Sequence, residues 1–229
     1  IPKTFSDAFK LAMSPRRGPV CINLPRNILA DKGNFKINEK NQSFDNQNST
    51  KAKSNYIKKA VKIISNSNKT VIIAGGGIKY TSRYKNVVKL AELLNVPIVT
   101  AAGHGDAIPF NHKLNAGQMG PRGNPVASKL VKEASVIIAL GTRLGFNSTF
   151  YSYENINKRA KIIQVELEKR MIGRYFPVAV GIYGDAATIA DQLYKEIKKQ
   201  NIALDIKKWT NNYFNERKNF LLNRDKFKQ

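Results

Sequence analysis

The sequence predicts an α/β fold, a doubly wound parallel sheet with helices on both faces, and three stretches carry that expectation. Residues 70–77, Thr-Val-Ile-Ile-Ala-Gly-Gly-Gly, form an apolar, β-branched run ending in three glycines. Such a run reads as a buried strand whose carboxyl-terminal turn lets a backbone or a ligand come close. Residues 136–143, Val-Ile-Ile-Ala-Leu-Gly-Thr-Arg, repeat the idea, and residues 161–167, Lys-Ile-Ile-Gln-Val-Glu-Leu, end in an acid where nucleotide-binding folds often meet a ribose.

The remaining elements follow in chain order. Phe5, Ala8, Phe9, Ala12 and Met13 stand at helical spacing, so residues 4–14 read as a helix, broken by Arg16-Arg17-Gly18-Pro19 before a strand at 20–24. Residues 31–53 turn to Asn, Gln, Ser, Lys and Asp with few apolar anchors, chiefly Phe35, Ile37 and Phe44, and read as a surface linker. A compact α/β unit follows, with helix 54–65, strand 70–74, helix 82–94 and strand 97–100, the last two separated by Asn95-Val96-Pro97. The second half gives helix 125–134, opened by Pro125, then strand 136–140, strand 161–167, a short strand near 178–182 and helix 186–199. Beyond Ile202, Trp209, Tyr213, Phe214 and Phe220 recur at roughly helical intervals, as in an exit helix reaching for a neighbouring domain.

Composition narrows the function classes. The 229 residues suit one medium domain with attached pieces, and 42% hydrophobic content supports a sizeable core. The formal charge of +23 would suggest nucleic acid, but the excess is mostly Lys dispersed among Asn and Ile, without an Arg-rich helix, zinc spacing or aromatic-basic motif. A compositional bias explains it, and no nucleic-acid partner is expected. Cys21 is the only cysteine, which excludes an internal disulfide and a closed cysteine-based zinc site, and its setting reads as a small core residue of a strand. No apolar run has the roughly 18 residues of a membrane span. With no signal-peptide pattern at the start, a cytoplasmic location is expected. The start at Ile1-Pro2-Lys3, without Met, reads as that of an excised fragment.

Six motifs in order over residues 16–186 resemble the thiamine-diphosphate-dependent enzymes of the acetolactate synthase type. They are Arg17-Gly-Pro-Val-Cys-Ile-Asn-Leu-Pro-Arg26, Ala74-Gly-Gly-Gly-Ile78, Ala91-Glu-Leu-Leu-Asn-Val-Pro-Ile-Val-Thr100, Gly105-Asp-Ala-Ile-Pro109, Ala139-Leu-Gly-Thr-Arg143 and Val180-Gly-Ile-Tyr-Gly-Asp-Ala186. Each is weak alone; their common order is the signal. The subgroup resembled is that of sulfoacetaldehyde acetyltransferase, through His104-Gly-Asp-Ala-Ile-Pro109, Gly141-Thr-Arg-Leu144 with Ser148-Thr149, and Val180-Gly-Ile182. The resemblance implies that residues 1–30 are the end of a pyrimidine-binding domain, 31–53 a linker, 54–200 the central α/β domain and 201–229 a linker towards a diphosphate-binding domain. It further implies thiamine diphosphate and Mg2+ as cofactors, both with ligands outside this chain. The family's activating glutamate and Gly-Asp-Gly motif have no counterpart here, so no catalytic residue is assigned and the chain alone is expected to be inactive. The whole protein is expected to form a carbanion on the cofactor and add a two-carbon unit to an acceptor, with a 2-oxo acid or aldehyde substrate, as a homodimer or homotetramer.

Candidate cofactor-binding residues follow from the resemblance and from their own chemistry. Gly75, Gly76 and Gly77 could offer backbone N–H groups to a diphosphate, or simply make a tight strand–helix turn. Glu166 could accept from ribose hydroxyls or be a solvated strand-end charge. Arg122, in the loop Gly117-Gln-Met-Gly-Pro-Arg-Gly123, could clamp a phosphate or sulfonate, or be an interdomain ion-pair partner. Arg143 could contact an anion or pair with Asp185, itself at the family's motif position. Flavin-containing relatives carry acidic and arginine residues just after this arginine, where the chain has Gly145-Phe146-Asn147, so FAD loses polar contacts and ADP, or an empty vestigial site, stays open. His104 and Asp106 lie two residues apart in a Gly-flanked loop without a third partner, His112 reads as bracing a turn, and neither histidine is assigned to catalysis. Ser148, Thr149, Tyr151 and Tyr153 lack a paired base and read as a loop covering the sheet edge. The alternative to a piece of a carbon–carbon bond-forming enzyme is a stand-alone adenine-nucleotide or NAD-binding α/β module without thiamine chemistry.

Overall fold

The computed structural model describes residues 1–14, 17–34, 50–81 and 83–226, with side chains to 223. It divides into two units, Ile1–Asn48 and Ser49–Gln229. The first holds helices α1 (Pro2–Ala12) and α2 (Arg26–Ala30). The apolar stripe of α1 is uncovered, with Phe9 60% and Leu11 62% exposed. The strand expected at 20–24 is absent: these residues are irregular, and Cys21 is exposed rather than a core residue. A strand needs a neighbouring ladder, and the first unit offers none among its described residues. Most of the linker, 35–49, together with Arg16 and Ser82, lies outside the described residues.

The second unit contains α3 (Ser54–Ser65), β1 (Thr70–Ala74), α4 (Gly76–Lys79), α5 (Tyr84–Leu94), β2 (Ile98–Thr100) and β3 (Asn115–Gln118). It continues with α6 (Pro125–Glu133), β4 (Val136–Leu140), α7 (Phe146–Thr149), β5 (Lys161–Glu166), β6 (Val180–Tyr183), α8 (Ala186–Lys199) and α9 (Lys207–Lys226). The sheet is parallel throughout, in the order β3-β2-β1-β4-β5-β6. Every residue of β1 and β4 is buried, which is why both sequences are continuous apolar runs and not alternating ones. Helices flank the sheet: α8 packs on α5 and α3, and α6 on α9.

Local chemistry explains the helix limits. In α3 the buried residues Ile57, Ala60, Val61 and Ile64 make one stripe, and Val87, Leu90, Ala91 and Leu94 do the same in α5. Asn95 ends α5 in the left-handed region, φ 53°, where its N–H still reaches the carbonyls of Ala91 and Glu92. Asn124 caps α6 by accepting from the Val126 N–H at 2.8 Å, with Pro125 as the first helical residue. Strand β3 was not expected. Its Asn-Ala-Gly-Gln sequence has no β-branched residue, and only pairing with β2, across a register shift, makes it a strand.

The tail expected as a linker carries α9, which is anchored on this unit. Trp209, 7% exposed, donates its indole N–H to the Thr70 carbonyl at 3.1 Å. Thr210 donates to the Asn95 carbonyl at 2.8 Å, and the Tyr213 hydroxyl to that of Lys113 at 3.2 Å. Burial pushes the Tyr213 phenol up to about 12, with Arg217 opposing. Trp209→Ala is expected to lose about 3–5 kcal/mol of stability, read from urea unfolding by circular dichroism. Gly141→Ala is expected to cost about 2–4 kcal/mol, because its φ of 62° is left-handed and a Cβ there would lie 2.6 Å from the Gly77 Cα. Gly105→Ala, whose Cβ would meet nothing nearer than the Gln118 side chain at 3.6 Å, is the control, with a change within about 0.5 kcal/mol.

Candidate functional site

The chain leaves β1 towards β2 and β3 on one side, and passes from β4 to β5 and β6 on the other. A crevice therefore opens beyond the carboxyl ends of β1 and β4, the place where open parallel sheets bind ligands. The glycine turn after β1 forms one wall. Its backbone is committed to the neighbouring loop: the Gly75 N–H donates to the Leu140 carbonyl and the Gly77 N–H to the Gly141 carbonyl, both at 3.0 Å. A Cβ on Gly75 would run into the Gly141 carbonyl, and one on Gly77 would stand 2.7 Å from the Gly141 Cα. The triplet's first task is thus the close approach of two loops, and two of its three N–H groups are used there.

Gly76 faces the loop after β2. A Cβ there would lie 2.9 Å from Cε1 of His104, so the imidazole covers the glycine backbone, with Tyr80 edge-on to it at 6.3 Å between centroids. The His104 Nδ1 is buried and has no hydrogen-bond partner among the described residues. Burial, and then the Lys79 charge, hold the imidazole below its usual range. Asp106 turns away from His104 in its bonding: it pairs with Lys79 at 2.9 Å, which lowers the carboxyl and raises the ammonium. The loop is fastened from two sides, the Ala102 N–H donating to the Ser148 hydroxyl at 3.0 Å and the Gly103 N–H to the Gln118 side chain at 3.1 Å. His112 does brace a turn: its Nδ1 accepts from the Leu114 N–H at 3.3 Å, and its Nε2 lies 3.2 Å from Glu92.

On the far side of the crevice stand Arg143 and Glu166. Glu166 ends β5 half-buried, one oxygen accepting from the Leu167 N–H at 2.9 Å. Burial pushes its carboxyl up, while that N–H and the Arg143 charge oppose the shift. Arg143 is exposed, makes no ion pair among the described residues, and lies along Gly145, where a Cβ would be 3.2 Å from its Nε. It does not pair with Asp185. That carboxylate is buried and occupied: it accepts from the Thr188 N–H at 2.7 Å and hydroxyl at 2.6 Å as the cap of α8, and from Arg83 at 2.6 Å. A cap position fixes Asp185 within reach of Arg83, which precedes α5, and this leaves Arg143 without it.

The structure therefore brings together Gly75, Gly76 and Gly77 with Gly141, and Arg143 with Glu166. It leaves Asp185 in a structural network with Arg83, and Arg122 exposed in the turn after β3. Sequence reasoning gave no role to Lys79, Arg83, Gln118 or Ser148 as supports. Only a register of which loops meet at the switch point could have found them, since Lys79 and Arg83 lie in no motif and the motifs holding Gln118 and Ser148 do not show what those side chains support. Among the described residues no group of three or more His, Cys, Asp or Glu side chains could hold a metal, and no helix is long and apolar enough to cross a membrane.

With this geometry in view, the likeness to known proteins is specific. Residues 57–193 match the family model described as "Thiamine pyrophosphate enzyme, central domain". A probable acetolactate synthase large subunit from Methanococcus aeolicus is 31% identical over 223 residues, 93% of this chain and 37% of that protein. A sulfoacetaldehyde acetyltransferase from Alcaligenes xylosoxydans xylosoxydans is 33% identical over 202 residues, 87% of this chain and 33% of that protein. Another from Roseovarius nubinhibens is 38% identical over 140 residues, 60% of this chain and 23% of that protein. The chain spans about a third of the length of the first two of these curated relatives. The six-stranded parallel sheet, its switch point and these alignments agree, and the chain belongs to the thiamine pyrophosphate enzymes of the acetolactate synthase type, with residues 57–193 in their central domain.

Proposed function

We propose that this chain supplies the central domain of a thiamine-diphosphate- and magnesium-dependent transferase that moves a two-carbon unit from a 2-oxo acid or aldehyde to an acceptor. The observation that carries this reading is the match of residues 57–193 to the central-domain family, with acetolactate synthases and sulfoacetaldehyde acetyltransferases both aligning over most of the chain. On this reading residues 1–30 belong to a pyrimidine-binding domain, and the uncovered stripe of α1 supports it. Thiamine diphosphate, when bound, supplies the nucleophilic carbon, from ligands elsewhere in the whole protein. The working enzyme is a cytoplasmic homodimer or homotetramer.

The part given to this domain is to hold an adenine nucleotide at the switch point. The residues present fit ADP better than FAD. Arg143 is a cation free of ion pairs among the described residues, suited to a diphosphate, and the unbonded Glu166 oxygen suits the ribose hydroxyls. Gly145, Phe146 and Asn147 offer no charged side chain to a flavin's polar edge. The glycine turn contributes by letting the ligand lie close, and contact at Gly76 requires His104 to move aside. Arg122, exposed beyond β3, is available to a phosphate or sulfonate on the acceptor side.

Turnover by the whole protein, with thiamine diphosphate and magnesium present, separates the two chemistries. Acetyl phosphate and sulfite from sulfoacetaldehyde and phosphate select the acetyltransferase, and acetolactate from pyruvate selects the synthase; silence in both leaves the family standing and moves the donor to another 2-oxo acid or an acyl-CoA. Arg143→Ala is expected to weaken ADP at least about tenfold by titration calorimetry, the loss of a charge-assisted hydrogen bond of about 1.5–3 kcal/mol. Unchanged affinity would move the diphosphate away from Arg143.

A further inference from the structure

We propose that Gln164 is a positioning residue: its buried side-chain amide bolts the loop after β4, from which Arg143 projects, to the turn after β5. Gln164 is 2% exposed, in a strand whose other central residues, Ile162, Ile163 and Val165, are apolar. A buried amide is costly unless its polar atoms are bonded. Here each finds a backbone partner, and the partners lie in loops. Nε2 donates to the Thr142 carbonyl at 3.1 Å and to the Met171 carbonyl at 3.4 Å, and Oε1 accepts from the Gly173 N–H at 2.8 Å. Thr142 belongs to the first loop, and Met171 and Gly173 to the second, around the 3-10 turn Lys169–Met171.

The sheet makes room for this reach. In register, Gln164 has Ala139 of β4 on one side and Gly181 of β6 on the other, so no large neighbour stands beside it on its face. Its side chain can therefore run along the sheet to Thr142, beyond the end of β4. The partners also settle which way the amide points, since only its oxygen can accept from Gly173 and only its NH2 group can donate to two carbonyls.

The loop after β4 needs such a hold. Gly141 and Leu144, on either side of Thr142 and Arg143, both lie in the left-handed region, φ 62° and 53°, and a bulky residue stays there only where its surroundings over-determine it. Leu144 is 1% exposed; its N–H donates to the Thr142 hydroxyl at 3.2 Å, and its carbonyl accepts from the Thr149 hydroxyl at 3.0 Å. Strand β5 grips the other end, the Gly141 N–H donating to the Val165 carbonyl at 2.9 Å and the Gln164 amide reaching Thr142. Arg143 has no carboxylate among the described residues to aim it, so its direction is set by the backbone that Gln164 holds. Loosening that backbone weakens an anion bound at Arg143, a consequence that rests on the reading of Arg143 given above.

Hydrogen exchange and calorimetry on the intact protein test the inference. Gln164→Met keeps the bulk of the side chain and removes the amide; Gln164→Asn keeps the amide but is too short to span both loops, and it serves where the methionine variant fails to fold. In either variant, exchange without ligand should quicken about tenfold in peptides covering 141–149 and 168–174 together, while α8 keeps the wild-type rate. Inorganic pyrophosphate should bind about fivefold more weakly, and in combination with Arg143→Ala no more weakly than to Arg143→Ala alone, as for residues that act through one another. Quickening confined to 168–174, an unchanged pyrophosphate affinity, or losses that add in the double variant would overturn the positioning role, because a residue that only fills the core lowers stability without coupling to Arg143. If the wild type binds neither pyrophosphate nor ADP, the adenine-nucleotide reading fails, and exchange in 141–149 alone decides whether Gln164 holds the loop.

Discussion

Everything in this domain is arranged around one backbone contact, the approach of the loop after β1 to the loop after β4. Gly75 and Gly77 donate to the carbonyls of Leu140 and Gly141, and no Cβ fits at any of these three glycines. The contact closes the base of the crevice at the point where the sheet reverses its winding. Because β1 and β4 are paired along their whole lengths, from Thr70 opposite Val136 to Ala74 opposite Leu140, their ends cannot separate to relieve a clash. A side chain at Gly141 would have to be accommodated by backbone on both sides, which is why the requirement falls on glycine and cannot be shared with a flexible neighbour.

The same constraint explains what the sequence disclosed and what it hid. Strands β1 and β4 and helices α3 and α8 are legible to the residue, because they bury continuous apolar runs or regular stripes, with Gly75 after β1, Gly141 after β4, Asn66 after α3 and Asp185 before α8. Strand β3 and the anchoring of α9 were not legible, since both depend on partners distant in sequence: β2 for the ladder, the Thr70 carbonyl for Trp209. The pattern Val20–Leu24 is the converse case, an apolar segment with strand-like composition that finds no ladder among the described residues and stays irregular. Propensity proposes an element, and a partner decides whether it forms.

For the crevice, the sequence named candidate groups but not which of them were already committed. Three candidates of similar appearance, Asp185, Arg143 and Glu166, have different fates. Asp185 is buried and one of its oxygens is held by Thr188 and Arg83, so its charge is compensated inside the protein. Glu166 keeps one oxygen bonded to its own neighbour and is only half-buried, and Arg143 lies close enough to act on its carboxyl without pairing with it. A carboxylate whose ionised form is disfavoured by burial gains most from a ligand that supplies hydroxyl donors and brings water's role indoors.

His104 sets the condition on access. Its ring occupies the space over Gly76, and Lys79 is held beside it by Asp106, so an anion entering the glycine turn meets a neutral imidazole and a cation that already has a partner. That arrangement discourages a diphosphate from settling deep between the loops and favours one lying outward, against Arg143. The depth of the site is thus governed by a histidine and an ion pair from two different loops, and its direction by the one arginine at the crevice that the fold leaves without a carboxylate partner among the described residues. A diphosphate at this switch point would in consequence be drawn to the side of β4 and β5.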